Sequence, residues 1–370
     1  MGDQRRYWVG FNRVIGIGPV RLKALLEAFG DAETAWHASA EDLRAAGLDQ
    51  RSLRGLLEAR DTLDLDAELA RIEGLGYRLL TWEAADYPER LREISAPPPV
   101  LYLWGDLRPQ DRWAAAVVGT RRPTAYGTAV ARDLAAVLAA SGVTVVSGLA
   151  RGIDTIAHQS ALEAGGRTLA VLGSGLDRLY PPEHRRLAER IAGVGAVLSD
   201  YPLGTAPEGG NFPPRNRIIS GLALAVVIVE AGEGSGALIT ADFAAEQGRE
   251  VFAVPGSIYS RASRGTNQLI RSGARPLVAF EDVLEALNLD VVIRQEEVSQ
   301  ALPEDETEAK ILAALSSEPV HVDELQARCG LPAAQVSASL AMLELKGRAR
   351  QVGGMHYVRA REPRAGYQVE

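Results

Sequence analysis

The sequence predicts an α/β protein built around an extended Rossmann-like parallel-sheet domain, with an N-terminal all-α domain of the SAM or helix-hairpin-helix type and a C-terminal winged-helix domain. Three observations lead to this prediction. Apolar residues recur at helical spacing up to residue 80, short apolar runs alternate with helical stretches from residue 99 to 289, and three helix patterns precede a hairpin pattern near the chain end. The expected division is an all-α domain at 1–80, the sheet domain at 81–289, a linker at 290–306 and the winged helix at 307–370.

The N-terminal region shows helical periodicity in VRLKALLEAFG and DAELARIEGLG, with no clear strand run. Within it, VIGIGPVRLKALLEAFG is similar to half of a helix-hairpin-helix, with Gly16 and Gly18 in a tight turn before a helix. Such a turn can present backbone N–H groups to a phosphate, or it can serve packing alone. The sequence leaves both interpretations open.

The central region contains short apolar runs that are mostly separated by helix-sized intervals. This arrangement predicts a parallel sheet covered by helices on both faces, with its ligand site at the carboxyl ends of the strands. The predicted strands are 101–104, 114–118, 143–147, 168–172, 196–199, 224–229, 250–254 and 276–280.

The C-terminal region begins after the acidic segment EALNLDVVIRQEEVSQALPEDETE, which predicts a linker. Helix patterns follow in 307–315, VDELQARCG and LPAAQVSASLAMLELKG, and RARQVGGMHYVR predicts two short strands. Winged helices often place the third helix in the major groove of duplex DNA. This third helix is rich in Ala and Ser and offers few base-reading side chains, so contact with a protein is an equally open interpretation.

Composition narrows the function classes. A formal net charge of −8 argues against indiscriminate coating of nucleic acid but allows a local basic groove. The absence of an apolar run of eighteen residues and of a secretory leader pattern favours a cytoplasmic protein without membrane contact. With Cys329 as the only cysteine and five scattered histidines, we expect neither an intrachain disulfide nor a metal site.

The segment VVGTRRPTAYG is a strand, a tight loop and the start of a helix. A strand-to-helix junction collects unpaired N–H groups and the positive end of the helix dipole, and therefore suits an anion. Arg121 and Arg122 lie in this loop. They are the first candidate ligand-binding residues.

Two further loops follow predicted strands. In SGLARGIDTIAH, Gly148 permits close backbone approach, Arg151 is a candidate anion contact, and Asp154 is expected to cap the next helix. In GSGLDRLYPPEHRRLAERI, His184 and Arg185 lie in the first helical turn, where the dipole disfavours cations, which makes them candidates for ligand contact.

The segment GGNFPPRNRIISGLA is the most informative. It places an aromatic ring and two more arginines at the start of a helix, and the candidates are Phe212, Arg215, Asn216 and Arg217. Together with the arginines after the first central strand, this is more positive charge than one nucleotide phosphate needs. It suits a chain of phosphates.

The last loop, EAGEGSGALITADFAAEQG, has Gly234 and Gly236 as a candidate phosphate cradle, with Glu230 expected to fix the loop and Glu246 to lie on the helix surface. The chain has no GxGxxG followed by an acid about twenty positions on, and no GxxxxGK[ST]. NAD and ATP are therefore not supported, and we expect no cofactor.

The sequence resembles the DprA/Smf family of DNA-processing proteins of bacterial natural transformation. The resemblance is carried, in the family's order over residues 117–276, by VVGTRRPTAYG, SGLARGID, LGSGLDRLYPPEH, NFPPRNRIISGLA, EAGEGSGALITADFAAEQGREVFAVPG and GTNQLIRSGARP. It implies a protein that binds and protects single-stranded DNA, forms a homodimer through its central domain and loads RecA.

The resemblance also implies DNA contacts at Arg121, Arg215 and Arg217. The sequence departs from the family at Pro182, where a lysine is frequent, and at His184, where an asparagine is usual. Those departures put that part of the contact in question, and a neighbouring arginine is the proposed substitute.

Two rival functions remain at this stage. A nucleotide-hydrolysing enzyme of the lysine-decarboxylase-like Rossmann type would carry a P-G-G-x-G-T loop and a glutamate, whereas this chain has AGEGSGALIT. A transcription factor would bind a preferred duplex sequence through the winged helix. We rank both below single-strand binding and expect no catalysis.

Overall fold

The computed structural model describes residues 3–287, 306–316, 319–345 and 348–359, in two compact units that divide after Leu287. Within these ranges, no helix is long and apolar enough to cross a membrane. Nor do three or more His, Cys, Asp or Glu side chains in the described ranges form a group that could hold a metal ion.

The first unit begins with six helices. They are α1 (Arg5–Arg13), α2 (Pro19–Phe29), α3 (Ala32–His37), α4 (Ala40–Ala45), α5 (Gln50–Thr62) and α6 (Leu65–Gly74). Side chains of Asp31, Ser39, Asp49 and Asp64 accept backbone N–H groups at the starts of α3 to α6, which sets where each begins. Their apolar cluster continues into the sheet, so this unit has one connected core across the predicted boundary at residue 80.

The sheet has nine strands. They are β1 (Arg78–Thr81), β2 (Val100–Gly105), β3 (Ala114–Val118), β4 (Thr144–Ser147), β5 (Thr168–Val171), β6 (Ala196–Ser199), β7 (Ala225–Ile228), β8 (Glu250–Ala253) and β9 (Arg275–Pro276). Their order is β1-β2-β6-β5-β4-β3-β7-β8-β9. The strands from β6 to β9 along this order are parallel, while β1 and β2 add an antiparallel edge.

The parallel part confirms the predicted Rossmann-like sheet. Strand order reverses at β3, which lies between β4 and β7. Ligands of open α/β sheets bind outside the carboxyl ends of the strands at such a reversal. The loops after β3 and β7 therefore meet at the expected place for a site.

Helices cover both faces of this sheet. They are α7 (Glu89–Arg92), α8 (Ala125–Ala140), α9 (Ile153–Glu163), α10 (Arg185–Val194), α11 (Phe212–Leu222), α12 (Gly236–Glu246), α13 (Arg264–Arg271) and α14 (Glu281–Ala286). Helices α8, α9 and α10 pack together on one face, and α11 and α12 pack on the other against Ala114, Ala116 and Val118 of β3. The wholly apolar β3 is buried from both sides, as a central parallel strand requires.

Two strand predictions were wrong. Strand β1 was missed because RLLT is only four residues long and directly follows a helix; pairing with β2 makes it a strand. Of the run PLVAF only Pro276 lies in a strand, as the second residue of β9, because Asp282 accepts the N–H groups of Val278 and Ala279 and turns the chain into α14.

The second unit is a winged helix, as predicted. It contains α15 (Glu306–Ala314), β10 (Val320–His321), α16 (Val322–Cys329), α17 (Ala333–Leu345), β11 (Ala349–Gly353) and β12 (His356–Arg359). The strands form an antiparallel sheet in the order β10-β12-β11 over a core that includes Ile311, Leu325 and Leu340. The predicted linker lies outside the described residues except for Glu306, where α15 begins, and residues 360–370 of the predicted domain also lie outside them.

Candidate nucleic-acid interface

A cavity of about 820 Å³ opens at the reversal point of the sheet. Its walls come from the loops after β3, β4, β5, β6 and β7 and from α11 and α12. Six of the twelve candidates from sequence line it: Arg121, Phe212, Arg215, Asn216, Gly234 and Gly236. Gly148 and Arg151 line a smaller recess beside it, together with Arg121 and Phe212.

The loop after β3 is anchored by hydrogen bonds to a carboxylate of the protein itself. Glu230 follows β7 and accepts hydrogen bonds from the Thr124 backbone N–H at 2.9 Å and its hydroxyl at 2.5 Å. Gly127 leaves the room for it, since a Cβ there would overlap the Glu230 carboxyl group. The start of α8 therefore already holds a carboxylate of the protein. Glu230 was expected to fix the glycine-rich loop that it precedes, whereas its side chain anchors the loop after β3.

The loop after β4 is anchored in the same way. The residue that caps α9 is Gly152, so the prediction of Asp154 as the cap was wrong. Asp154 is buried in the first turn and accepts from the N–H groups of Gly148 at 3.1 Å and Ala150 at 3.4 Å. Burial raises the pKa of the Asp154 carboxyl group, an effect that the nearby Arg215 opposes.

Arg215 forms the floor of the cavity. Its side chain is buried, and its Nη1 donates to the Val171 carbonyl oxygen at 2.7 Å. Burial lowers the pKa of Arg215 to about 10, and Asp154 counteracts that shift, so the guanidinium is charged at neutral pH. Gly148 is required beside it, because a Cβ would overlap the guanidinium and lie 2.7 Å from an Asp154 oxygen.

Phe212 lies near two cations. The guanidinium carbon of Arg121 lies 5.5 Å from the ring centroid and that of Arg215 lies 5.9 Å from it. Tyr180 packs against the same ring with centroids 5.8 Å apart. An aromatic face flanked by guanidinium groups can stack a base and hold its phosphate.

Asn216 and Arg217 point to different places, although they are neighbours on α11. Asn216 donates from Nδ2 to the Gly236 carbonyl oxygen at 3.1 Å and lines the cavity. Arg217 forms an ion pair with Asp200 at 2.7 Å, with 14% of its side chain exposed, and does not line the cavity. Positions 215 and 217 lie about 200° apart around a helix, so one faces the cavity and the other faces away. DNA contact by Arg217 stays a prediction with no supporting contact.

The remaining basic candidates differ in their partners. Arg151 pairs with Glu183 at 2.6 Å, and Arg185 pairs with Glu189 at 3.3 Å. Arg121 and Arg122 are exposed, and no carboxylate of the described residues forms an ion pair with either. Arg122, His184 and Arg185 line neither the cavity nor the recess.

The glycine-rich loop after β7 contributes to the cavity wall. Gly234 has a φ of +72°, a conformation that disfavours a side chain, and Ser235 caps α12. Glu246 is exposed at the far end of this helix, as predicted, about 15 Å from its first turn.

Several cavity residues were missed from sequence. The loop before α11 contributes Pro207 and Gly209, and Thr120 and Thr240 complete the walls. The glycine pair Gly209-Gly210 was a usable signal for the loop. The threonines carried none, because a lone threonine is common in any helix or loop.

Residues 78–288 match the family described as DNA recombination-mediator protein A, and residues 295–355 match the DprA winged helix domain. The chain belongs to the DNA recombination-mediator protein A family. The resemblance to DprA/Smf proteins seen in the sequence is thereby confirmed.

Members of this family include close relatives of the chain. It is 38% identical to Protein Smf of Synechocystis sp. over 96% of this chain and 99% of that protein. It is 37% identical to Protein Smf of Escherichia coli over 92% of this chain and 95% of that protein.

Solved structures of the family resemble it as well. DNA processing protein A of Streptococcus pneumoniae has a TM-score of 0.68 and 35% identity, covering 76% of this chain and 97% of that one. DNA processing protein A of Helicobacter pylori has a TM-score of 0.52 and 31% identity, and the match covers 58% of this chain and 96% of that one. That structure was reported for its single-stranded DNA binding mode.

Proposed function

We propose that the chain binds single-stranded DNA with little sequence preference at the cavity beyond the carboxyl ends of β3 and β7. The observation that carries this proposal is the arrangement of Arg121, Phe212 and Arg215: an exposed cation without a carboxylate partner, an aromatic face and a buried cation. The reported single-stranded DNA binding mode of the Helicobacter pylori relative supports it.

The geometry favours a single strand over a duplex. Stacking on Phe212 requires a base free of its partner, while Arg121 at the cavity wall and the exposed Arg122 outside it can hold successive phosphates. Asn216, Gly234 and Gly236 would face the nucleotide that enters deepest. Arg151, already paired with Glu183, would bind a phosphate only by exchanging that partner.

The proposal includes a partner and an oligomeric state. We propose that the protein protects incoming DNA and loads RecA during natural transformation, which the family description as a recombination mediator supports. We propose a homodimer formed through the central domain at residues 224–280. Ile258, Tyr259 and Val278 of that segment are apolar and 76%, 89% and 79% exposed, and dimerisation would cover them.

Binding without catalysis is the proposed chemistry. The glutamate that a nucleotide hydrolase would use corresponds to Glu246, which is exposed at the end of α12 remote from the cavity. Incubation with nucleoside monophosphates should release no free base. Release that disappears in Glu246→Gln would overturn this part of the proposal.

Fluorescence anisotropy with a labelled thymine homopolymer and with a duplex of the same length tests the function. We expect tighter binding of the single strand and weaker binding as salt rises. Binding that is tighter for one particular duplex sequence would favour the transcription-factor alternative. No binding of either probe would mean that the cavity holds a smaller ligand.

A further inference from the structure

The loop between β4 and α9, residues 148–152, contains an unusual backbone conformation. Leu149 is fully buried and has a φ of +57°, in the left-handed region that a branched, non-glycine residue rarely adopts. Such a conformation persists only where its surroundings hold it. Ala150 lines the large cavity and Arg151 lines the recess, so whatever holds Leu149 also places these two residues.

His184 contacts this loop without lining the cavity. It ends the short 3-10 helix Pro182–His184, and its half-buried ring lies between the loop and α9. The Nδ1 atom is 2.9 Å from the Leu149 carbonyl oxygen, and the Nε2 atom is 3.3 Å from the Thr155 hydroxyl oxygen. His184 therefore contacts the loop that contributes Ala150 to the cavity and Arg151 to the recess.

Both ring nitrogens of His184 face hydrogen-bond acceptors. The Leu149 carbonyl can only accept. The Thr155 hydroxyl lies 2.7 Å from the Ala150 carbonyl oxygen and donates its single proton there, because that contact is much shorter than the one to His184. Thr155 thus presents a lone pair to Nε2. A neutral imidazole has one N–H and satisfies one acceptor, whereas the imidazolium satisfies both.

We propose that His184 is a positioning residue whose protonation fastens the 148–152 loop and strengthens binding of single-stranded DNA. This inference rests on the proposed function. The second hydrogen bond fixes Ala150 and Arg151 before the strand arrives, which removes part of the ordering cost of binding.

Both acidic and basic side chains surround His184. Its own 3-10 helix contributes Glu183, whose carboxylate favours the imidazolium and pairs with Arg151 of the loop. The groups on the elements packed around the ring are Arg151, Asp154, His158, Glu183 and Arg185. Burial and neighbouring cations lower the pKa of His158 to about 3, so the His158 ring stays neutral in the mildly acidic range.

The test measures binding of a thymine homopolymer by the full chain, at constant ionic strength, between about pH 5 and about pH 8. We expect the wild-type Kd to fall about fivefold towards the acidic end, the value of one added hydrogen bond. In His184→Asn the amide Nδ2 can still donate to Leu149, but nothing titrates. Its Kd should match the wild-type value at the alkaline end and stay constant.

Matched controls separate His184 from the other histidines. His37→Asn and the double variant His321→Asn/His356→Asn should keep the full pH response. His184→Gln, checked for folding by thermal unfolding, serves as a second non-titrating variant if the asparagine variant is unstable.

Two results would overturn the inference: a wild-type Kd that does not change with pH, or a pH response in His184→Asn and His184→Gln equal to that of the wild type. In both cases, binding at alkaline pH would leave the proposed function intact. Failure of the wild type to bind the homopolymer at any pH would overturn the proposed function, and the inference with it.

Discussion

Arg121→Ala gives the sharpest test of the proposed DNA site. Arg121 is exposed, lacks a carboxylate partner among the described residues and lies 5.5 Å from the Phe212 centroid. If it contacts one phosphate, its loss lowers the slope of log K against log salt concentration by about 0.7, the value for a single strand. A fourfold rise in salt should then weaken binding by the variant about 2.6-fold less than binding by the wild type.

The assay is anisotropy of a labelled thymine homopolymer over a salt series, with Arg132→Ala as the matched control. Arg132 is exposed on α8 and lines no described cavity, so its removal changes the net charge equally without removing a predicted contact. We expect a wild-type slope for Arg132→Ala. Equal slopes for all three proteins would refute our placement of the DNA.

Three further predictions concern the groups that build the site. Glu230→Gln should lower the free energy of unfolding by about 2 kcal/mol in urea titrations, because a charged acceptor of two Thr124 hydrogen bonds is lost. An unchanged urea midpoint would contradict the anchoring role of Glu230. Gly148→Ala should lower the free energy of unfolding by about 1–3 kcal/mol, because the new methyl group displaces Arg215. Gly236→Ala has open space at its Cβ and should change it little. Equal losses of stability in the two variants would count against the clash. His158 has a folded-state pKa of about 3 against 6.5 for an ordinary histidine, so the unfolded chain binds a proton first as the pH falls. Its contribution to stability is present above about pH 6.5 and is lost towards pH 3, about 2 kcal/mol between about pH 7 and about pH 5. His158→Asn should lack this share of the acid sensitivity.

Parts of the fold were predictable because they depend on local patterns. AAAVV and AVLS are uninterrupted apolar runs between helix patterns, and both are strands as predicted. RLLT carries no such pattern and becomes a strand only by pairing with Val100–Gly105. The antiparallel pairing of β1 with β2 could therefore not be predicted from the sequence.

The candidate site was predictable in part for the same reason. Glycines and arginines directly after strands mark the loops at one sheet edge, and Arg121, Phe212 and Arg215 do lie together there. The prediction that Asp154 caps a helix was wrong. The Asp154 side chain accepts from the N–H groups of Gly148 and Ala150, which belong to the preceding loop and not to the helix.

The sequence alone determined the order of the central strands β3 to β8, the loops that meet at the carboxyl edge and the family to which they correspond, because each depends on contiguous residues. The tertiary structure decided which charges remain free. Thr124 and Glu230 are 106 positions apart and meet because β3 lies beside β7, so the start of α8 already holds an anion. Asp200 likewise takes Arg217, while Arg121 keeps no such partner among the described residues. Charge pairing depends on distance in space, and strand order sets that distance.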